Sequence, residues 1–256
     1  MFLDAIRQDV DERIKRLLPI YAYWRDQAER MPPVRSLKAA LTQGARLQVI
    51  AECKQKSPSK GWLTDGYDPV AQARQYERDG AAAISVLTEP HYFAGDMSHL
   101  EAVRSAVGLP VLRKDFVRHP VQLYEARARG ADAALLIVRI LDDVLLGDLM
   151  ATAEGIGLEV LVEVHAVQEL ERALRQGATI VGVNNRDLDT FETRLEFSRE
   201  LSSQLPAEVV AVSESGIRTT DDMALIESWG YRAVLIGETL MRGTNVLEAW
   251  THASHR

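Results

Sequence analysis

Cysteine is nearly absent: Cys53 is the only one in 256 residues, which excludes an internal disulfide and an all-cysteine metal site and agrees with a reducing compartment. Nor is there a basic excess. Thirty Lys and Arg stand against 37 Asp and Glu, a formal charge of −7, so the clustered positive surface that binds nucleic-acid phosphates is missing. No apolar run approaches the roughly 18 residues of a membrane-spanning helix. Near the N-terminus Asp4, Arg7, Asp9, Asp11, Glu12, Arg13 and Lys15 break every apolar stretch, so no export signal is expected. The six histidines show no H-E-x-x-H or comparable spacing, and no Walker A loop occurs, so neither a metal nor a nucleotide cofactor is expected. These absences point to a cytoplasmic protein with no nucleic-acid or membrane partner. Apolar residues at 46% and charged residues at 26% are those of a globular chain and exclude disorder.

What is present begins with helix. Leu3, Ile6, Val10, Ile14, Leu17 and Leu18 recur at helical spacing. The pattern breaks near Pro19 and again at Pro32-Pro33, and Ser36 to Gly44 has the capping Ser and terminal Gly of a short helix. The polar face of the first helix carries both signs of charge, which argues against a membrane-surface role. After residue 46 short apolar runs recur: Gln48–Cys53, Ala83–Leu87, Val111–Arg113, Ala133–Ile137, Glu159–Val164, Ile180–Val183, Val209–Val212 and Ala233–Ile236. Between them lie helical stretches, one opened by Asp68-Pro69 and another by Pro120, with Gly80, Gly130, Gly155, Gly177 and Gly230 as expected stops. Strands alternating with helices imply parallel pairing. Eight such units predict an α/β fold, a (β/α)8 TIM barrel, with residues 1–256 one domain and 1–45 a helical extension. The alternative, an open doubly wound sheet, lacks its G-x-G-x-x-G turn after the first strand.

In such a barrel the chemistry sits where strands end and βα loops begin. Buried parallel strands are nearly all apolar, yet Glu52 and Lys54 end the first run, Lys114 the third, Glu163 the fifth, Asn184 the sixth and Glu214 the seventh. Glu52 and Lys54, two apart, share a face, which turns Cys53 toward the surrounding helices as a small buried hydrophobe. His165 therefore has no cysteine to pair with. The segment from Lys54 to Asp68, with Lys56, Ser57, Pro58, Ser59 and Lys60, is long for a βα connection and reads as a binding loop. Ser213-Glu214-Ser215-Gly216 and Gly237-Glu238-Thr239 follow the last two strands, where barrels commonly bind phosphate. Arg186 can clamp a carboxylate bidentately, and Tyr92, Phe93 and Phe116 can wall an apolar ligand group.

Several of these segments together resemble the indole-3-glycerol phosphate synthase family: Val49-Ile50-Ala51-Glu52-Cys53-Lys54-Gln55-Lys56-Ser57-Pro58-Ser59-Lys60-Gly61, Ser85-Val86-Leu87-Thr88-Glu89, Arg113-Lys114-Asp115-Phe116, Leu161-Val162-Glu163-Val164-His165, Gly182-Val183-Asn184-Asn185-Arg186-Asp187-Leu188 and Ser213-Glu214-Ser215-Gly216-Ile217. The resemblance spans roughly residues 47 to 242. It implies ring closure of 1-(2-carboxyphenylamino)-1-deoxyribulose 5-phosphate, with loss of carbon dioxide and water, in tryptophan biosynthesis and without a cofactor. By similarity Lys114 is the general acid, Glu163 the base or the stabiliser of a cationic intermediate, and Lys54 with Glu52 serves the later dehydration. Asn184 and Glu214 would orient hydroxyls. Lys54, Ser57, Ser215, Gly216, Gly237 and Glu238 would hold phosphate, Glu238 through its backbone only. Arg186 would face the substrate carboxylate, and Pro58, Phe93, Phe116, Leu135 and Leu188 would wall the ring.

Burial and Lys54 would lower the pKa of Lys114 while Glu52 and Glu163 would raise it, and the sequence leaves that balance open. Glu238 and Asp96 stand where the resemblance leads one to expect Ser. Phosphoribosylanthranilate isomerase, the nearest competitor, would want a cysteine base on the inward face of the first strand, where Glu52 and Lys54 stand instead. A phosphate-binding barrel without catalysis is the other reading, in which Lys114 and Glu163 are dispensable. A monomer is expected, with a homodimer as the alternative.

Overall fold

Eight parallel strands close on themselves in the structure, a computed structural model that describes residues 2–64, 66–187 and 190–253. They are β1 Gln48–Cys53, β2 Ala83–Leu87, β3 Val111–Lys114, β4 Ala133–Ile137, β5 Glu159–Val164, β6 Ile180–Asn184, β7 Val210–Glu214 and β8 Ala233–Ile236. Closure comes from β1, which pairs with β8 through Gln48 opposite Ala233 and with β2 through Ile50 opposite Ala83. Every residue of β2, β4, β6 and β7 is buried. Such strands face side chains on one side and helices on the other, which is why they read as unbroken apolar runs. Each buried Val, Leu or Ile contributes about 1.5–3 kcal/mol. The fold is a (β/α)8 TIM barrel preceded by N-terminal helix.

The strand ends differ from the sequence expectation in one useful way. β3 extends to Lys114, β6 to Asn184, and β7 runs from Val210 to Glu214. These polar side chains therefore stand on ladder-bonded backbone and not on loop, which fixes their direction.

Three N-terminal helices, α1 Phe2–Leu17, α2 Tyr21–Glu29 and α3 Leu37–Thr42, precede the barrel, with Pro19 inside a single 3-10 turn between the first two. Ser36 caps α3 by accepting the N–H of Ala39. The outer helices are α4 Pro69–Arg78, α5 Met97–Ala106, α6 Pro120–Ala128, α7 Asp143–Gly155, α8 Val167–Arg175, α9 Glu196–Ser202 and α10 Thr220–Ser228, followed by the short α11 Glu238–Met241 and by α12 Val246–Ala253. Asp68 caps α4 with Pro69 in its first turn. Gly155 ends α7 as expected, but it is Gly157, at φ +62°, that makes the left-handed turn. Helix spacing could not separate two glycines two residues apart.

The extension touches both ends of the barrel. Leu37 and Leu41 of α3 are fully buried, and beside them Ser36 and the Lys38 N–H bond Glu159 at the start of β5. At the opposite end Arg13 of α1 grips Asp115 just past β3, with Nη1 to Oδ1 at 3.0 Å and Nη2 to Oδ2 at 2.5 Å. The extension thus reaches the loop end as well as capping the bottom.

Candidate active site

The C-terminal ends of the strands surround a cavity of about 690 Å³, within the usual range of small-molecule sites. Its floor is ionic. The Lys114 ammonium lies 3.3 Å from Glu214, 3.4 Å from Glu163 and 3.9 Å from Glu52. Lys54 pairs with the other Glu52 oxygen at 2.5 Å, and Nδ2 of Asn184 donates to Glu163 at 3.2 Å. All six polar strand-end residues converge here. Cys53 is buried on the opposite parity, its sulfur 3.9 Å from the Pro69 carbonyl of α4, as the alternation demands.

Two glycines make room for this floor. A side chain at Gly182 would collide with the Glu214 carboxylate, and one at Gly237 with Glu52, pressing also on the Lys54 amine. The backbone of β6 and of the turn after β8 approaches these charged groups closely, and a side chain at either glycine would push them out of the floor.

Burial and charge compete at each floor residue. Desolvation lowers the pKa of Lys114, but Glu214, Glu163 and Glu52 outweigh it and raise the pKa above the ordinary lysine value. The balance left open by the sequence resolves upward, and Glu214 rather than Lys54 is the decisive neighbour. Burial disfavours the Glu52 and Glu163 carboxylates as well, yet the lysines, and for Glu163 also His165 and Asn184, hold both pKa values down. Glu214 goes the other way: burial raises it, Lys114 pulls back, and Glu163 and Glu52 leave it pushed up. The carboxylates have differentiated around one ammonium.

The walls are apolar. Phe93, Phe116, Leu135 and Pro58 line the cavity, with Phe93 and Phe116 rings 6.3 Å apart. Leu188 lies outside the described residues. Leu87, Ile137 and Phe191 also line it, and the sequence reading did not single them out. Glu89, also missed as a site residue, accepts the backbone N–H groups of His91, Tyr92 and Phe93 at 2.7–3.1 Å and so shapes the turn that presents Phe93. Asp96 does not line the cavity and caps α5 by accepting the Ser98 N–H.

The rim holds the anion-binding candidates. Ser57, Ser215, Gly216, Gly237 and Glu238 all line the cavity. The first loop is not irregular: Lys56–Ser57 pairs antiparallel with Gly61–Trp62, a hairpin too short to leave a periodic signal. Lys60 lines the cavity, whereas the Lys56 amine bonds the His91 carbonyl. Ser215 takes φ +64°, a conformation that costs a non-glycine residue on the order of 1–3 kcal/mol and is typical of ligand loops. Asn185 stabilises it by donating to the carbonyls of Glu214 and Ser215. The Glu238 carboxylate is drawn to Arg186 at 3.3 Å and to Arg242 at 2.7 Å. Arg242, a rim cation that the sequence reading missed, sits one helical turn beyond it.

The family model of indole-3-glycerol phosphate synthase matches residues 2–252. The chain is 49% identical over 240 residues to the indole-3-glycerol phosphate synthase of Roseiflexus castenholzii, covering 91% of this chain and 89% of that protein. It is 45% identical over 251 residues to that of Carboxydothermus hydrogenoformans, with 94% and 95% covered. With that of Chlorobium phaeovibrioides it shares 45% over 253 residues, 98% and 97% of the two chains. The ionic floor, the aromatic wall and these likenesses over nearly the whole length agree, and the chain belongs to the indole-3-glycerol phosphate synthase family.

Proposed function

We propose that the ionic floor of the barrel mouth closes the indole ring, with Lys114 as general acid. The chain is a carboxy-lyase of tryptophan biosynthesis by family, and the assignment of steps to residues is the proposal. The observation that carries it is the single ammonium of Lys114 within 4 Å of three carboxylates. Because its pKa is raised, Lys114 carries its proton at neutral pH, the state an acid needs.

Lys114 donates that proton to the ribulose carbonyl oxygen as the carboxylate-bearing ring carbon attacks the carbonyl carbon. One carbon–carbon bond forms and the carbonyl becomes a hydroxyl. The ring is then cationic, and the Glu163 anion stabilises it. Carbon dioxide leaves, its bonding pair returns to the ring and aromaticity is restored. In the last step the hydroxyl departs as water and a proton leaves the neighbouring carbon, which creates the indole double bond. Lys54 and Glu52, 2.5 Å apart, are placed as acid and base for this dehydration.

Asn184 and Glu214 orient hydroxyls; Oε1 of Glu214 is buried with no hydrogen bond or ion pair among the described residues and is open to a substrate hydroxyl, while Oε2 faces the Lys114 ammonium. Lys54, Ser57 and the turns at Ser215-Gly216 and Gly237-Glu238 hold the phosphate. The Glu238 carboxylate is kept off it by Arg242, 2.7 Å away. Arg186 takes the substrate carboxylate in exchange for Glu238. The reading extends to one domain with residues 1–45 as its helical strap, and to a cytoplasmic monomer; no helix among the described residues is long and apolar enough to cross a membrane.

Mixing purified protein with the carboxyphenylamino-deoxyribulose phosphate and following indole fluorescence, without metal or nucleotide, tests this directly. Lys114→Ala is expected to lose about 10²–10⁴-fold in turnover, the usual contribution of a positioned acid, while still binding substrate. Wild-type turnover in that variant would sink the assignment. Tight binding with no turnover in the wild type would favour a binding barrel instead.

A further inference from the structure

His165 follows β5 and points to the same side as Glu163, two residues earlier. Its side chain is 2% exposed. Nε2 lies 3.1 Å from Oε1 of Glu163, and Nδ1 lies 3.5 Å from Oε2 of Glu169 in the first turn of α8. Glu169 is itself held: it accepts the His165 backbone N–H at 2.7 Å and Nε of Arg139 at 3.0 Å. Arg139, in the turn after β4, also reaches the His165 carbonyl. From β6, Asn184 holds the same Glu163 oxygen that His165 faces.

A neutral imidazole has one N–H and one lone pair. Here each ring nitrogen faces a carboxylate oxygen, so a lone pair on either one would oppose an anion in a site that water hardly screens. Only the doubly protonated ring is attracted on both sides. Neither contact is an aligned hydrogen bond; they are ion pairs, and they depend on the charge of the ring.

We infer that His165 is a positioning residue for the ring closure, an imidazolium that keeps the Glu163 carboxylate ionised and aimed at the Lys114 side of the cavity. The chain of contacts runs from Arg139 through Glu169 and His165 to Glu163, and so ties a floor residue to the helix outside the barrel. The imidazolium leaves Oε2 of Glu163, 3.4 Å from Lys114, to face the reacting ring. Burial lowers the His165 pKa, but the two carboxylates outweigh it and raise it to about 9. The inference rests on the part given to Glu163 in the mechanism proposed above.

The test is kcat and KM against pH, from about 6 to 10, for the wild type, His165→Asn, Glu169→Gln and Glu163→Gln. Wild-type kcat is expected to fall as pH passes about 9. His165→Asn should lose about 10- to 100-fold in kcat, the scale of a misplaced catalytic group, with KM little changed and without that alkaline limb. Glu169→Gln keeps the ring but removes one anion, so the limb should move to lower pH. A limb that stays where it is in both variants, or wild-type kcat in His165→Asn, overturns the inference; a merely structural histidine would lower stability and leave the limb in place. Full turnover in Glu163→Gln would instead overturn the mechanism beneath it.

Discussion

Glu214 shows what it costs to assemble a site from charges. Its carboxyl is buried among Lys114, Glu163 and Glu52, and its pKa is pushed up to about 8, against about 4.3 for an unfolded glutamate. Between these values the folded chain binds a proton that the unfolded chain has lost. Stability due to this group therefore falls as pH rises through that window and is lowest above it. Glu214→Gln removes the penalty and leaves Lys114 paired with Glu163 and Glu52. The variant is expected to melt a few degrees higher than wild type at pH 8, where about 1 kcal/mol corresponds to 2–4 °C in a chain of this size, and to show little difference near pH 4. It should also lose turnover, the usual trade between stability and an active site. Melting curves at the two pH values check the sign; a lower melting temperature at pH 8 would show that the carboxylate stabilises the floor.

At the scale of elements, the strap formed by α1 carries the clearest consequence. Lys114 points into the cavity, and its neighbours Arg113 and Asp115 point outward into a second, buried ionic cluster. Asp115 there takes Arg13 from α1, Arg113 at 3.0 Å and Thr88 at 2.7 Å. Burial disfavours the carboxylate, but the two arginines hold its pKa well below the usual range, so its contribution is present above the unfolded value and is lost on acidification. Arg13→Ala leaves Asp115 with its other partners and is expected to cost about 1–3 kcal/mol, less than breaking an isolated buried pair. It should raise KM by loosening the end of β3, with α2 and α3 still packed. Chemical denaturation with KM measured in parallel checks this; an unchanged KM would make Arg13 purely structural.

That cluster also marks where the sequence stopped being legible. The eight strands could be read because burial on both faces leaves apolar runs, and the floor could be read because polar residues interrupt those runs at one end. Arg13 and Asp115 lie 102 residues apart, and no spacing rule joins them. The hairpin at Lys56–Trp62 has two-residue strands, too short for any period. The sign of the Lys114 shift needed the distance to Glu214, and Arg242 became a rim residue only once α11 placed it. Local pattern carried the elements; through-space charge did not show in it.

The whole molecule carries a net charge of −7 and must still attract a phosphorylated carboxylate. Lys60, Arg186, Arg218 and Arg242 line the cavity in the loops above the acidic floor. Nearby cations act within about one Debye length, ~8 Å at physiological salt, whereas more distant acidic residues are screened. kcat/KM is therefore expected to fall as ionic strength rises, the signature of local attraction. A rate that rises with salt would mean that the net charge governs encounter.

Closure of the barrel bears on more than shape. Each of the eight strands is hydrogen-bonded on both sides, so the sheet offers no unpaired edge for another chain to extend, and edge pairing is the common route from a strand to an aggregate. Rewriting the loops that line the cavity does not open such an edge. New chemistry can be tried on this scaffold at the loop end, and the errors made there are more readily losses of activity than losses of the protein.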